Sequence, residues 1–160
     1  MGLDMYLDEH IYYGGKWRGN KTHAEGHTLS VSGKFADDNN LKTDDIQELT
    51  REVGYWRKAN QIHGWFVENA MKGNDDCSRT YVSVAELQRL HDTCVEVLQA
   101  LDDERWKRVE ELLPPTEGFF FGEYDVKSEW YRSDIEYTIK VLSSILKEDK
   151  GHSYYYTASW

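Results

Sequence analysis

Leu3, Met5 and Leu7 alternate with Asp4 and Tyr6 at the start of the chain, the period-two pattern of a half-buried strand. His27 to Gly33 alternates in the same way and predicts a second strand. Between them, Tyr12 to Gly26 is rich in Gly, Lys, His and Asn and predicts a loop, with Tyr12, Tyr13 and Trp17 as its anchors. Asp37-Asp38-Asn39-Asn40 predicts a turn. The run from Asp45 to Val53 fits two patterns, because Ile46, Leu49 and Val53 suit a helix while Thr50 and Val53 suit an edge strand. From there, Tyr55, Ala59, Ile62 and Phe66 fall within a narrow arc at about 100° per residue, which predicts a helix over 54–70 stopped by Lys72-Gly73-Asn74-Asp75-Asp76.

Further on, Tyr81-Val82 predicts a short strand. Ser83 with Glu86 is a capping-box signature ahead of Leu87, Leu90, Cys94, Val97, Leu98 and Leu101, a helical stripe. Residues 102–113 hold one more short helix, ended by Pro114-Pro115. Gly118-Phe119-Phe120-Phe121-Gly122 reads as a strand, and residues 125–148 as a helix with Tyr131, Ile135, Ile139, Leu142 and Ile145 or Leu146 inward. The tail, Tyr154 to Trp160, is strand-like; left in water it would expose four aromatic rings, so it is expected to add a strand or enter a subunit interface. Strands and helices intermixed without a βαβ fingerprint predict one α+β domain over 1–160, with a small mixed or antiparallel sheet and about three main helices.

Composition narrows the function. The 160 residues carry 19 Lys and Arg against 29 Asp and Glu, a net charge of −10, which argues against attraction to DNA, RNA or an anionic membrane. A local basic site stays open. Only 39% of residues are hydrophobic, but 14% are aromatic, so a few large side chains carry the burial and disorder is not expected. No apolar stretch reaches the roughly 20 residues of a membrane span, and Met1-Gly2-Leu3-Asp4 lacks a signal-peptide start, so a cytoplasmic protein is expected. Tyr6 stands where a myristoylation signal wants Ser or Thr. Cys77 and Cys94 have no close second cysteine, so both are expected to be free thiols, with no metal and no cofactor required.

The densest chemistry runs from Tyr55 to Phe66. On the predicted helix, Trp56, Asn60 and His63 share one flank, with Arg57 further round and Lys58 on the opposite flank. A Trp face, an amide and an imidazole are the residue types that hold a flat polar ring, by stacking and by edge hydrogen bonds. The bland alternative is a boundary helix whose Trp and His are satisfied in the core and whose Arg and Lys are solvated. A metal reading would join His63 with Asp75 and Asp76, or Asp4 with one of them, but a Gly-Asn-Asp-Asp run is the ordinary chemistry of a helix-terminating turn and His-Glu-x-x-His is absent. The Gly-x-Ser-x-Gly elbow, the phosphate-cradling Gly-Lys-Ser/Thr loop and Gly-x-Gly-x-x-Gly are absent too, which disfavours a serine hydrolase, a stand-alone kinase and a nicotinamide oxidoreductase. Phe119 and Phe121 point opposite to Phe120 on their strand, so either both faces are buried or one offers rings to a ligand. His10, His23, His27, His91 and His152 are scattered and read as structural or solvated.

Four segments together carry a resemblance: Met1-Gly2-Leu3-Asp4-Met5-Tyr6-Leu7, the run from Gly54 to His63 followed by Trp65-Phe66-Val67, Gly118-Phe119-Phe120-Phe121-Gly122, and the aromatic tail ending Ser159-Trp160. With them the chain resembles a family of small, uncharacterised proteins of tailed bacteriophages and prophages. The resemblance runs from end to end and brings no activity. What it implies is a setting, that of a phage accessory protein in the host bacterial cytoplasm, where such proteins commonly neutralise host defences, sequestration of nucleotide signals included. The expectation that joins residues and setting is a homo-oligomeric binding protein for a small nucleotide-like ligand. In it Trp56 stacks, Asn60 and His63 read the ring edge, Arg57 and Lys58 meet phosphate, and Tyr6 or Phe120 lines the opposite wall. Two alternatives stand beside it: a small enzyme on nucleotides or phosphorylated metabolites, using His63 with Asp4 or Asp76 as acid and base, and a protein-interaction inhibitor of a host protein that uses exposed aromatics.

Overall fold

The computed structural model describes residues 2–12, 31–42, 45–116, 125–147 and 150–160. In chain order the elements are β1 (Asp4–Tyr12), α1 (Lys34–Asp38), β2 (Glu48–Arg57), α2 (Asn60–Asn69), β3 (Thr80–Val82), α3 (Val84–Asp102), α4 (Trp106–Leu112), α5 (Glu129–Leu146) and β4 (Ser153–Ser159). The strands form one antiparallel sheet in the order β2-β1-β4-β3, so the fold is α+β as the patterning predicts. By compactness the chain divides into two units, Met1–Glu9 with Glu52–Trp160, and His10–Arg51. The second unit contains α1, whose only buried residue is Ala36, and a hydrogen-bonding contact of the buried His10 with Glu48.

Alternation decides the strands of the first unit. Met5 and Leu7 on β1 are fully buried, as are Tyr156 and nearly so Tyr154 and Ala158 on β4, while Tyr6, Tyr155 and Thr157 between them are partly exposed. The tail is therefore a strand within the sheet, flanked by β1 and β3, with Tyr81 opposite Tyr155 and Val82 opposite Tyr154. The inward side chains join Ile62 and Phe66 of α2, Leu87, Leu90, Cys94 and Val97 of α3, and Tyr131, Ile135 and Leu142 of α5 in one core. Helix α3 begins on the full capping box, Ser83 accepting from the Glu86 amide while the Glu86 carboxylate accepts from the Ser83 amide. Helix α5 starts later than the patterning predicts: Ser128 caps it, and Asp125 instead accepts from the Lys127 amide in the preceding turn.

The main departure lies at the junction before α2. The predicted helix over 54–70 begins only at Asn60, because β2 runs on through Arg57 and Lys58 then turns the chain in the left-handed region, φ 60°, with its amide bonded to the Leu3 carbonyl at 2.8 Å. Strand alternation replaces helical angle: Gly54 and Trp56 point in, Tyr55 and Arg57 point out. Tyr55, which the helical arc places in the core, is exposed, whereas Ala59, Ile62 and Phe66 are fully buried. The Asp37–Asn40 turn also shifts, its first two residues ending α1. The strand predicted over 27–33 and the Phe-rich strand over 118–122, Phe120 included, lie outside the described residues, except that 31–33 are not strand.

Candidate functional site

Strand β2 ending at Arg57 separates the residues that a continuous helix would gather. Trp56 faces inward from the sheet, 2% exposed, and its indole N–H donates to Thr138 Oγ1 of α5 at 2.9 Å. Its ring meets Phe66 and Tyr137 edge-on at 6.3 and 5.8 Å. Asn60 and Gln61 open α2 and are both buried, Gln61 Nε2 donating to Asp134 Oδ2 at 3.2 Å. His63, one turn on, is 1% exposed. Trp56, Asn60 and His63 thus belong to the packed interior and not to one open flank.

His63 sits in a chain of polar contacts that runs from the interior to the surface. Its Nε2 lies 3.1 Å from Asp75 Oδ2 and its Nδ1 2.7 Å from Tyr156 Oη. A carboxylate only accepts, so in the neutral ring Nε2 carries the proton and Nδ1 accepts from the tyrosine. The other Asp75 oxygen accepts from the Trp160 indole at 3.2 Å, and the Tyr156 ring stacks on Phe66 at 4.0 Å. Burial, then the nearby Asp75 charge, pushes the Tyr156 phenol well above its usual range, so it stays a neutral donor. The partner of His63 is therefore Asp75, while Asp76 accepts from Asn74 and the Ser78 amide in the turn and Asp4 lies on β1. The arrangement ties α2, the loop after it and β4 to one another, with both imidazole nitrogens engaged.

Asp134 is a partly buried acid of this region. Desolvation raises its carboxyl from 3.8 to about 6, against the smaller opposing effect of the Gln61 hydrogen bond. A folded-state pKa above the unfolded value favours the native state while the group is protonated, and that contribution is lost as pH rises from about 4 through about 6. Asp134→Asn is accordingly expected to gain about 1 kcal/mol of stability at pH 8 relative to its effect at pH 4, the shift being discounted for the carboxyl's partial exposure. Urea unfolding of both proteins at the two pH values measures this; a difference that stays constant with pH would remove Asp134 as the cause.

The chemistry left open to solvent lies on the outer face of the sheet. Tyr55 of β2 and Tyr6 of β1 pair with ring centroids 5.3 Å apart, and Tyr155 of β4 and Tyr81 of β3 pair at 5.8 Å. By strand alternation one tyrosine from each strand thus stands on the same face, in two pairs. Tyr55 Oη donates to Asp4 Oδ1 at 2.5 Å, which raises the phenol's pKa, and Asp4 in turn lies 3.9 Å from the Arg57 guanidinium. At the other side, the Arg79 guanidinium stacks over Tyr155 at 4.4 Å. Of the expected site residues, the structure brings Tyr6 and Arg57 together here and places Lys58 at the exposed end of β2, while Trp56, Asn60 and His63 form the layer beneath. Tyr55, Tyr81, Tyr155 and Arg79 were not expected as site residues. Alternation in the tail was the legible signal for Tyr155, since it is out of phase with Tyr154 and Tyr156.

No family model, curated protein or solved structure matches the chain.

Proposed function

We propose that this is a non-catalytic binding protein that takes a flat, nucleotide-like ligand on the outer face of its sheet. The observation that carries the reading is the Tyr6–Tyr55 pair, two partly exposed rings 5.3 Å apart, with Arg57 two residues beyond Tyr55 on the same strand face. Such rings offer stacking surface to any base, and a guanidinium beside them offers a charge-assisted fork to phosphate. Asp4 holds the Tyr55 hydroxyl and neighbours Arg57, so it positions both groups for the ligand. The bacteriophage setting and the sequestration of a host signalling nucleotide enter from the sequence resemblance alone.

Binding and turnover separate in one experiment. Incubation with a bacterial nucleotide pool, followed by heat denaturation, is expected to return the bound species chemically unaltered. In titration calorimetry, Tyr6→Ala and Tyr55→Ala are each expected to weaken binding by about 1–3 kcal/mol with unchanged circular dichroism. Equal affinity in both folded variants rejects the sheet face. Altered nucleotide released with multiple turnover points to an enzyme instead, and a pool that yields no bound nucleotide points to a protein partner for the same tyrosines.

A further inference from the structure

The two tyrosine pairs are built alike. Strands β2 and β1 run antiparallel, the Lys58 amide bonding to the Leu3 carbonyl while Tyr55 meets Tyr6, and β3 runs antiparallel to β4 with Tyr81 directly opposite Tyr155. In the order β2-β1-β4-β3 the pairs therefore occupy the two neighbouring halves of the sheet, with midlines two strand spacings apart, about 10 Å. In each half the outer strand supplies an exposed ring, Tyr55 at 38% and Tyr81 at 55%, and the inner strand supplies its partner. An arginine stands two residues from each exposed ring, Arg57 after Tyr55 and Arg79 before Tyr81.

The arginines share one end of the sheet. Strands β2 and β3 point in opposite directions, so a residue after Tyr55 and a residue before Tyr81 stand toward the same end. Each engages the inner strand beside it: Arg57, its side chain 68% exposed, comes within 3.9 Å of Asp4 on β1, and the Arg79 guanidinium lies 4.4 Å over the Tyr155 ring of β4. Since β1 and β4 are neighbours, both charges stand toward the middle of the sheet and not at its outer edges. Beyond Tyr6 the next outward residue of β1 is Asp8, an acid at the other end. Two stacking surfaces with cations at one shared end match a ligand of two flat rings joined through phosphate. Arg79 already covers one face of Tyr155, so the second ring has Tyr81, the most exposed of the four tyrosines, and the guanidinium plane itself to stack on. Charge limits the length: on a chain of net charge −10, two arginines suit one linkage and not a run of phosphates.

We propose that the outer face of the sheet binds a dinucleotide, one base at Tyr6 and Tyr55, the other at Tyr81, and the phosphodiester toward Arg57 and Arg79. This rests on the reading of the Tyr6–Tyr55 pair as a base platform and adds to it the second base of the ligand.

The probe is adenylyl-(3′→5′)-adenosine, compared with adenosine monophosphate by titration calorimetry. The dinucleotide is expected to bind one per chain and at least about tenfold more tightly than the mononucleotide, because its second base docks on a ligand already in place. Tyr81→Ala, Arg79→Gln and Tyr55→Ala, all with unchanged circular dichroism, are each expected to cost at least about fivefold in dinucleotide affinity. Full dinucleotide affinity in Tyr81→Ala or in Arg79→Gln, with a loss in Tyr55→Ala, overturns the second platform and leaves the Tyr6–Tyr55 reading standing. Full affinity in Tyr55→Ala overturns that reading and this proposal with it, as does the absence of heat from either ligand up to about 10 mM. A dinucleotide that binds no more tightly than the mononucleotide overturns the two-base ligand. An eight-residue oligoadenylate that binds more than about tenfold more tightly than the dinucleotide overturns its length in favour of single-stranded nucleic acid.

Discussion

A chain ending at His152 is expected to have no cooperative unfolding transition at all. The lost residues are the inner strand β4, so β1 and β3 would both forfeit their shared partner and the sheet would fall into a two-stranded piece and an isolated strand. Tyr154, Tyr156 and Ala158 leave the core with it, as do the stack on Phe66, the donor to His63 Nδ1 and the Trp160 bond to Asp75. Removing one large buried aromatic alone costs about 3–5 kcal/mol, and two, before the lost strand pairing is added, already fall within the roughly 5–15 kcal/mol that holds a domain of this size. Thermal melts by circular dichroism and amide resonance dispersion measure the outcome. A truncated chain that still melts cooperatively within a few degrees of the full one would show that β4 does not lie inside the sheet.

Trp56→Ala is expected to destabilise the protein by about 3–5 kcal/mol, the range for deleting a large aromatic from a packed core. The ring is 2% exposed, meets Phe66 and Tyr137 edge-on, and binds Thr138 through its N–H. Gly54 is part of the same packing: a Cβ there would stand 2.7 Å from the indole Cη2, so the missing side chain is what lets the ring lie against its own strand. Trp56→Phe would keep part of the volume and drop only the Thr138 bond, and is expected to cost less. Urea unfolding of the three proteins gives the order directly; a loss of under about 1 kcal/mol for Trp56→Ala would mean that the indole does not occupy the core. Because the cost is one of folding, any weakening of ligand binding in this variant would have to be separated from partial unfolding.

Residues with strong local signals were legible and those at a junction were not. Helix α3 announces itself through Ser83 and Glu86 and an unbroken stripe from Leu87 to Leu101, and β4 through the alternation of Tyr154, Tyr155 and Tyr156. At 54–59 two periods compete. Tyr55, Ala59, Ile62 and Phe66 satisfy a helical arc by coincidence of spacing, while the strand alternation there contains a glycine, which carries no hydropathy signal. What ends the strand is Lys58 at φ 60°, a conformation that a lysine does not advertise. The candidate chemistry suffered from the same ambiguity. Trp56, Asn60 and His63 stand out by residue type, but type cannot show which side of a strand or helix faces the core. Choosing Asp75 over its neighbour Asp76 as the partner of His63 likewise needed the path of the loop in space.

The place of β4 beside β1 also governs how the molecule comes into being. The ribosome delivers β1 first of the two and its neighbour β4 only after everything from Tyr12 to Ser153 has been made. At about 5–20 residues per second, β1 waits on the order of ten seconds or more with one edge unpaired. Helix α3 can form locally in that interval, but the core beneath the sheet cannot close until Tyr154 and Tyr156 have emerged. The nascent chain therefore presents apolar strand surface until β4 has emerged, and the sheet closes by a pairing between segments far apart in the chain, the slow kind of contact to form.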